Sequence, residues 1–224
     1  MRPHETIPWL PYAEMSDEER IAATRSFYDR IKNRRTCRFV GPGSVPRAAI
    51  EAALMAAGTA PSGANHQPWH FAVITSRDAK HQIRVAAEEE EKVFYSGRAG
   101  KAWLEALSPL GTDEDKSYLE IAPVLIAVFG QRKGGAYSGE MRQNYYVNES
   151  VGIACGLLLV ALHEAGFATL THTPNPMQFL NQICGRSSNE KPLMLIVVGH
   201  AMESATIPKH AIVKKPLDQI STWI

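Results

Sequence analysis

Two hydrophobic periodicities alternate along this chain. HFAVIT at residues 70–75 is a short, β-branched apolar run bounded by turn residues, and it predicts a strand. VLIAVFG at 124–130 is apolar without interruption, the pattern of a strand covered on both faces. FATLTHT (167–173) and LMLIVVGH (193–200) are the remaining strand candidates. The helices follow a different rule. Ser16 and Glu19 form a capping box that opens a helix running to Lys32. Ser44 and Pro46 start a second, SVPRAAIEAALMAAG, with Gly58 as its C-terminal cap. A long helical stretch covers 78–96 and resumes over 98–107, and Lys116–Ile121 is a short helix stopped by Pro123. The helix over 146–165 is apolar on nearly every side and stops at Gly166, which implies burial in a core or a subunit interface.

Between these elements lie polar connections. Residues 1–15 read as an extended, proline-bearing arm, and QRKGGAYSGEMRQ (131–143) as a mobile polar loop. The tail, HAIVKKPLDQISTWI, reads as extended. The order of elements gives an α+β fold, a sheet of four to five strands packed among helices. At 224 residues it is one domain, 16–224, behind the arm.

Composition narrows the function only by exclusion. Lys and Arg number 24 against 23 Asp and Glu, and no basic stripe is interleaved with aromatics, so nucleic acid is not the expected partner. The three cysteines, Cys37, Cys155 and Cys184, are far apart and form no C-x-x-C pair, which argues against a metal site and fits a reducing compartment. The longest apolar stretch, VGIACGLLLVAL, is twelve residues, too short to span a bilayer, and MRPHETIPWLPYAEM lacks the apolar run of a signal peptide. A soluble, cytoplasmic protein is expected. There is no G-x-G-x-x-G after a strand and no P-loop.

Three stretches carry candidate chemistry. RRTCR (34–38) clusters Arg34, Arg35 and Arg38 about Thr36 and Cys37, and planar guanidinium forks suit a phosphate, although a basic surface turn has the same composition. APSGANHQPW (60–69) sets small residues Ser62, Gly63 and Ala64 where backbone N–H groups can approach a flat ligand. THTP (171–174) ends a strand with two hydroxyls. AEEEEKVFYSGR (87–98) poses a separate question, because a charge run usually faces water. Successive helical residues turn by about 100°, so the four glutamates cannot share a face, whereas Glu91 and Tyr95, at i and i+4, can.

Taken together, RRTCRFV, APSGANHQPWHF and the NES-x-GIACG helix resemble the FMN-binding frame of the nitroreductase-like flavoprotein superfamily. EEEEKVFY, the lysine of DKSYLEIAP, TLTHTP and the closing KPLDQI are similar to its iodotyrosine deiodinase branch, soluble bacterial type. The resemblance implies a nitroreductase-like fold with a mostly antiparallel sheet and an intertwined homodimer. Its flavin sites would lie at the interface, and an external donor would supply electrons. It implies FMN-dependent reductive dehalogenation of 3-iodotyrosine, diiodotyrosine, bromotyrosine and chlorotyrosine. The superfamily's general NAD(P)H-dependent nitroreductases or quinone reductases remain the alternative. It assigns Glu91 to the substrate ammonium, Lys116 to its carboxylate and Tyr95 to a hydrogen bond, all on an active-site lid spanning 88–118. It further implies that Arg34, Arg35, Thr36, Cys37 and Arg38 bind FMN, with Ser62 and Gly63 against the flavin and Thr171, His172 and Thr173 along its ring. Lys214 would reach the phosphate. The Ala64 N–H would meet the substrate phenolate, and the Thr173 hydroxyl flavin N5, making these two the catalytic positions. Glu88, Glu89 and Glu90 keep the solvent-facing reading.

Overall fold

In the computed structural model, which describes residues 5–9, 14–135 and 141–224, the chain forms two units, Met1–Arg34 and Arg35–Ile224. The first holds α1 (Asp17–Ile31). Its capping box forms as the sequence requires: the Glu19 N–H donates to Ser16 Oγ at 3.2 Å, and the Ser16 N–H donates to Glu19 Oε2 at 2.7 Å. Asp17, Glu18 and Glu19 in the first turn and Arg30 in the last oppose the helix dipole favourably. Of the expected arm, residues 5–9 and 14–15 carry no regular structure, while 1–4 and 10–13 lie outside the described residues.

The second unit runs β1 (Val40–Gly41), α2 (Arg47–Gly58), β2 (Trp69–Ile74), α3 (Arg77–Val93), α4 (Lys101–Leu107), α5 (Tyr118–Ile121) and β3 (Val124–Gln131). It continues through β4 (Lys133–Gly134), β5 (Arg142–Gln143), α6 (Val147–Glu164), β6 (Ala168–His172), α7 (Phe179–Ile183), β7 (Glu190–Ala201) and α8 (Lys209–Ile212). The sheet has five antiparallel strands: β2 pairs β3, β3 pairs β7, and the far edge of β7 takes both β6 and β1. β4 and β5 form a separate ladder inside the stretch that the sequence reads as a loop, and residues 136–140 of that stretch lie outside the described residues. Gly58 is the last residue of α2 and not its cap. The helix is closed at Thr59, whose hydroxyl donates to the Ala56 carbonyl at 2.7 Å.

The central strands explain why no alternation appears in their sequence. Side chains on a strand point to opposite faces in turn. On β3, Leu125, Ala127 and Phe129 enter a core with Ile83 and Ala87 of α3, Leu119 of α5 and Leu180 of α7. Val124, Ile126 and Val128 enter a second core with Ile50 and Ala53 of α2 and Val151, Cys155 and Leu158 of α6. Each Val, Leu, Ile or Phe among them contributes about 1.5–3 kcal/mol when fully buried. α6 is the one described helix long and apolar enough, by length and composition, to cross a membrane; 33% of that stretch is buried, on the face against the sheet. Its other face leaves Ile153 and Leu157 exposed.

Candidate active site

Helix α3 sets the first part of the site. Lys80, Ile83 and Ala87 are buried along one stripe, which seats the helix on the sheet. One turn beyond Ala87 the same stripe reaches Glu91. α3 then widens into a π turn over Phe94–Arg98, closed by Arg98, which donates to the Glu90 carboxylate at 3.0 Å and its carbonyl at 3.1 Å. Such turns recur at functional sites. Phe94 packs edge-on against Tyr95 at 5.2 Å and Trp103 at 5.0 Å, and so joins the π turn to α4.

The second part comes from the loop before α5. Lys116 is buried there and faces Glu91, Nζ to Oε2, at 3.7 Å. Its ammonium also donates to the Asp113 carbonyl and lies 5.8 Å from the centre of the Tyr95 ring. Burial pushes the Glu91 carboxyl above the usual glutamate range, against the opposing pull of Lys116. Burial likewise pulls the Lys116 ammonium below the usual lysine range, against the pull of Glu91 and Asp113. Desolvation therefore outweighs the pair's mutual attraction on both sides. Two opposite charges are held together in a half-dry setting.

The third part is the end of β6. The RRTCR segment runs beside it: Thr36 bridges Thr169, and the Cys37 N–H donates to the Thr169 carbonyl at 3.0 Å. That register delivers Arg38 beside Thr171, His172 and Thr173. All four line one cavity of about 230 Å³ with Glu91, Tyr95, Lys116 and Tyr118. The volume is below that of a drug-sized pocket and suits a ligand of amino-acid size. Tyr118 meets the His172 ring edge-on at 6.2 Å. His172 is buried, and its Nε2 has no hydrogen-bond partner among the described residues. Burial, reinforced by Lys116 and Arg38, holds its pKa down at about 3, so the ring is neutral at ordinary pH.

The remaining candidates sit elsewhere. Ser62, Gly63 and Ala64 do not line this cavity. Their loop packs against the start of α6: His66 Nδ1 lies 2.9 Å from Asn144 Oδ1, and Ser62 Oγ accepts from the Gln67 N–H at 2.9 Å. Ala64, Asn65 and Gln67 all take left-handed backbone conformations, with φ of 51°, 54° and 49°. Non-glycine residues in that region carry about 1–3 kcal/mol of strain each, a cost that clusters at ligand sites. Lys214 is exposed after α8, its ammonium on the Ala211 carbonyl at 3.2 Å, away from the cavity lining. Arg34 belongs to the first unit, where its N–H donates to the Ile31 carbonyl at 3.0 Å.

Two site features go beyond the sequence reading. Tyr118, three residues past Asp115, carries no motif of its own, yet it walls the cavity. Glu88, expected to face water, is half-buried and bonded to Arg84 and to the Lys116 backbone. Glu90 pairs with Arg98 at 3.0 Å, and only Glu89 of the run is exposed. The donor set fits a planar, anionic cofactor. Thr171 and Thr173 offer hydroxyls and Arg38 a guanidinium around a buried imidazole nitrogen that lacks a partner among the described residues.

Comparison with known proteins shows the family to which the chain belongs. The nitroreductase family pattern matches residues 31–200. Iodotyrosine deiodinase of Haliscomenobacter hydrossis is 47% identical over 202 residues, covering 89% of this chain and 91% of that one. Iodotyrosine deiodinase 1 of Mus musculus is 44% identical, covering 98% of this chain and 78% of its own length. Among solved structures, oxidized iodotyrosine deiodinase bound to FMN and 3-iodo-L-tyrosine superposes with a TM-score of 0.70 at 30% identity, over 85% of this chain and 94% of that chain. A Bacteroides thetaiotaomicron NADH dehydrogenase/NAD(P)H nitroreductase structure matches at TM-score 0.62 and 20% identity, a likeness of fold.

Proposed function

Because this chain belongs to the nitroreductase family, and within it to the iodotyrosine deiodinases, we propose that it is an FMN-dependent reductive dehalogenase of halotyrosines, releasing tyrosine and halide. The observation that carries this reading is the buried Glu91–Lys116 pair, 3.7 Å apart, in the wall that also holds Arg38 and the Thr171–Thr173 strand end. A free amino acid presents one cation and one anion a few ångströms apart, and this pair is its complement. Glu91 takes the α-ammonium, Lys116 the α-carboxylate, and the Tyr95 hydroxyl adds a hydrogen bond. Each ligand charge meets a partner of opposite sign in a setting that burial has partly dried.

FMN, when bound, supplies the electrons that reduce the carbon–halogen bond. Arg35, Thr36, Cys37 and Arg38 hold it, with Ser62, Gly63, Thr171, His172 and Lys214. The Thr173 hydroxyl would hydrogen-bond flavin N5, and the Ala64 N–H would donate to the substrate phenolate. Residues 88–118 act as a lid that excludes water once the zwitterion is gripped. Ser62–Ala64 and Lys214 lie outside the one-chain cavity, and we assign their approach to a homodimer. Exposed apolar side chains at Ile153, Leu157, Leu217, Ile220 and Trp223 supply surface for that contact. We read residues 16–224 as one FMN-binding domain behind an arm at 1–15, with bromotyrosine and chlorotyrosine as further substrates. An external reductase delivers the electrons. The free thiols of Cys37, Cys155 and Cys184 favour a cytoplasmic setting.

The pH dependence has a definite sign. Gripping an ammonium needs Glu91 ionised, so affinity is present above its raised pKa and is lost as pH falls through it. The acid limb of Kd for 3-iodotyrosine is expected above the ordinary glutamate range, and Glu91→Gln should flatten it. His172 adds no limb there, being neutral down to about 3. Steady-state assays test the activity itself. With dithionite as donor, turnover of 3-iodotyrosine should far exceed turnover of a nitroarene or quinone with NADPH. The reverse ranking would make the protein a general nitroreductase.

A further inference from the structure

The proposed grip leaves Glu88 without a ligand to touch, yet this side chain is tied down on two sides. Its Oε1 accepts from Arg84 Nε at 2.9 Å and from the backbone N–H of Lys116 at 3.0 Å. Arg84 also donates to Glu120 Oε2 at 3.2 Å, and the same oxygen meets His81 Nδ1 at 3.1 Å. Four side chains thus join α3 to α5 across the segment that presents Lys116. This segment, between Ser108 and Ser117, has no strand partner among the described residues, so its place depends on such bonds. A lysine is a point charge on a long flexible stem. Where its ammonium can reach is set by where its backbone is fixed.

We propose that Glu88 is a positioning residue that sets the reach of Lys116 toward a ligand carboxylate, by a charge-assisted bond to the Lys116 amide and a second to Arg84. The inference rests on the reading of Lys116 as the carboxylate-binding group. Two members of the glutamate run then play different parts. Glu91 meets the ligand, and Glu88, three residues earlier on the same helix face, holds the residue that meets its other end.

Calorimetric titration of the oxidised, FMN-loaded protein tests this without turnover. The ligands are 3-iodotyrosine and 2-iodophenol, which lacks both the ammonium and the carboxylate. Glu88→Ala should weaken 3-iodotyrosine about tenfold, the scale of one lost charge-assisted hydrogen bond. It should leave 2-iodophenol within about twofold of wild type, because no carboxylate is gripped. In a Lys116→Met background Glu88→Ala should cost little more, since both act through one group. Glu88→Gln should restore most of the affinity, its amide oxygen still accepting from the Lys116 N–H. Equal weakening of both ligands, full additivity in the double variant, or wild-type binding by Glu88→Ala would each overturn the proposal. If Lys116→Met alone bound 3-iodotyrosine normally, the underlying grip would be wrong, whatever Glu88 does.

Discussion

Replacing Lys116 with methionine, or Glu91 with glutamine, is expected to weaken 3-iodotyrosine binding by about 30- to 300-fold. Truncating one member of a desolvated charge pair costs about 2–5 kcal/mol of affinity, and each 1.4 kcal/mol is a factor of ten. The lower part of that range applies because burial has already moved both groups toward neutrality. The same fact predicts that the fold tolerates the change. A Glu91 left alone can take up a proton and need not stay a naked buried charge. KM should rise and kcat fall together if, as we propose, closing residues 88–118 over the ligand completes the site, while the thermal midpoint of the ligand-free protein moves little. Measuring KM, kcat and Tm on both variants checks all three. Wild-type kinetics in both would remove the zwitterion grip from the account.

Gly63→Ala is expected to cost the protein its flavin. A Cβ there would lie 2.8 Å from the backbone oxygen of Tyr145 and 3.1 Å from the Tyr146 ring. Backbone cannot swing aside as a long side chain can, so the loop must move off the start of α6. Overpacking of this kind costs about 1–3 kcal/mol. Because Ala64, Asn65 and Gln67 already sit in strained conformations, the displacement falls on a loop with little slack. FMN retention should weaken by about 10- to 100-fold, read from the flavin-to-protein absorbance ratio after dialysis and from the Kd for FMN. Gly58→Ala is the control: a Cβ there meets nothing within 4 Å, and flavin content should be unchanged. A fully loaded Gly63→Ala protein would separate this loop from the cofactor.

The sheet and long helices are legible in the sequence because their signals are local. The capping box at Ser16 and Glu19 and the unbroken apolar run 124–130 each dictate an element without reference to the rest of the chain. The β4–β5 ladder is not, because two-residue strands carry no periodicity. In the site, Glu91, Tyr95, Lys116 and Arg38 are all expected from the sequence, and the structure brings them to one cavity. Glu88 is hidden for an instructive reason. Four successive glutamates cannot share a helix face, but residues 88 and 91 are three apart and do share one. The partner that fixes the Glu88 carboxylate is a backbone amide 28 residues away, and no sequence pattern encodes that bond. Tyr118 is hidden for a similar reason: its importance comes from meeting His172 across the fold. The single-chain geometry also leaves Ser62–Ala64 apart from the cavity they are expected to line, a distance that sequence order alone cannot reveal.

In the proposed reaction this chain uses reduced FMN to remove halogen from a gripped halotyrosine. The most direct test is an anaerobic single turnover: holoprotein reduced with dithionite, excess reductant removed, 3-iodotyrosine added. Flavin reoxidation is expected, with tyrosine and iodide released in equal amounts, one of each per flavin. A flavin that stays reduced in the presence of 3-iodotyrosine but is reoxidised at once by a nitroarene would contradict it.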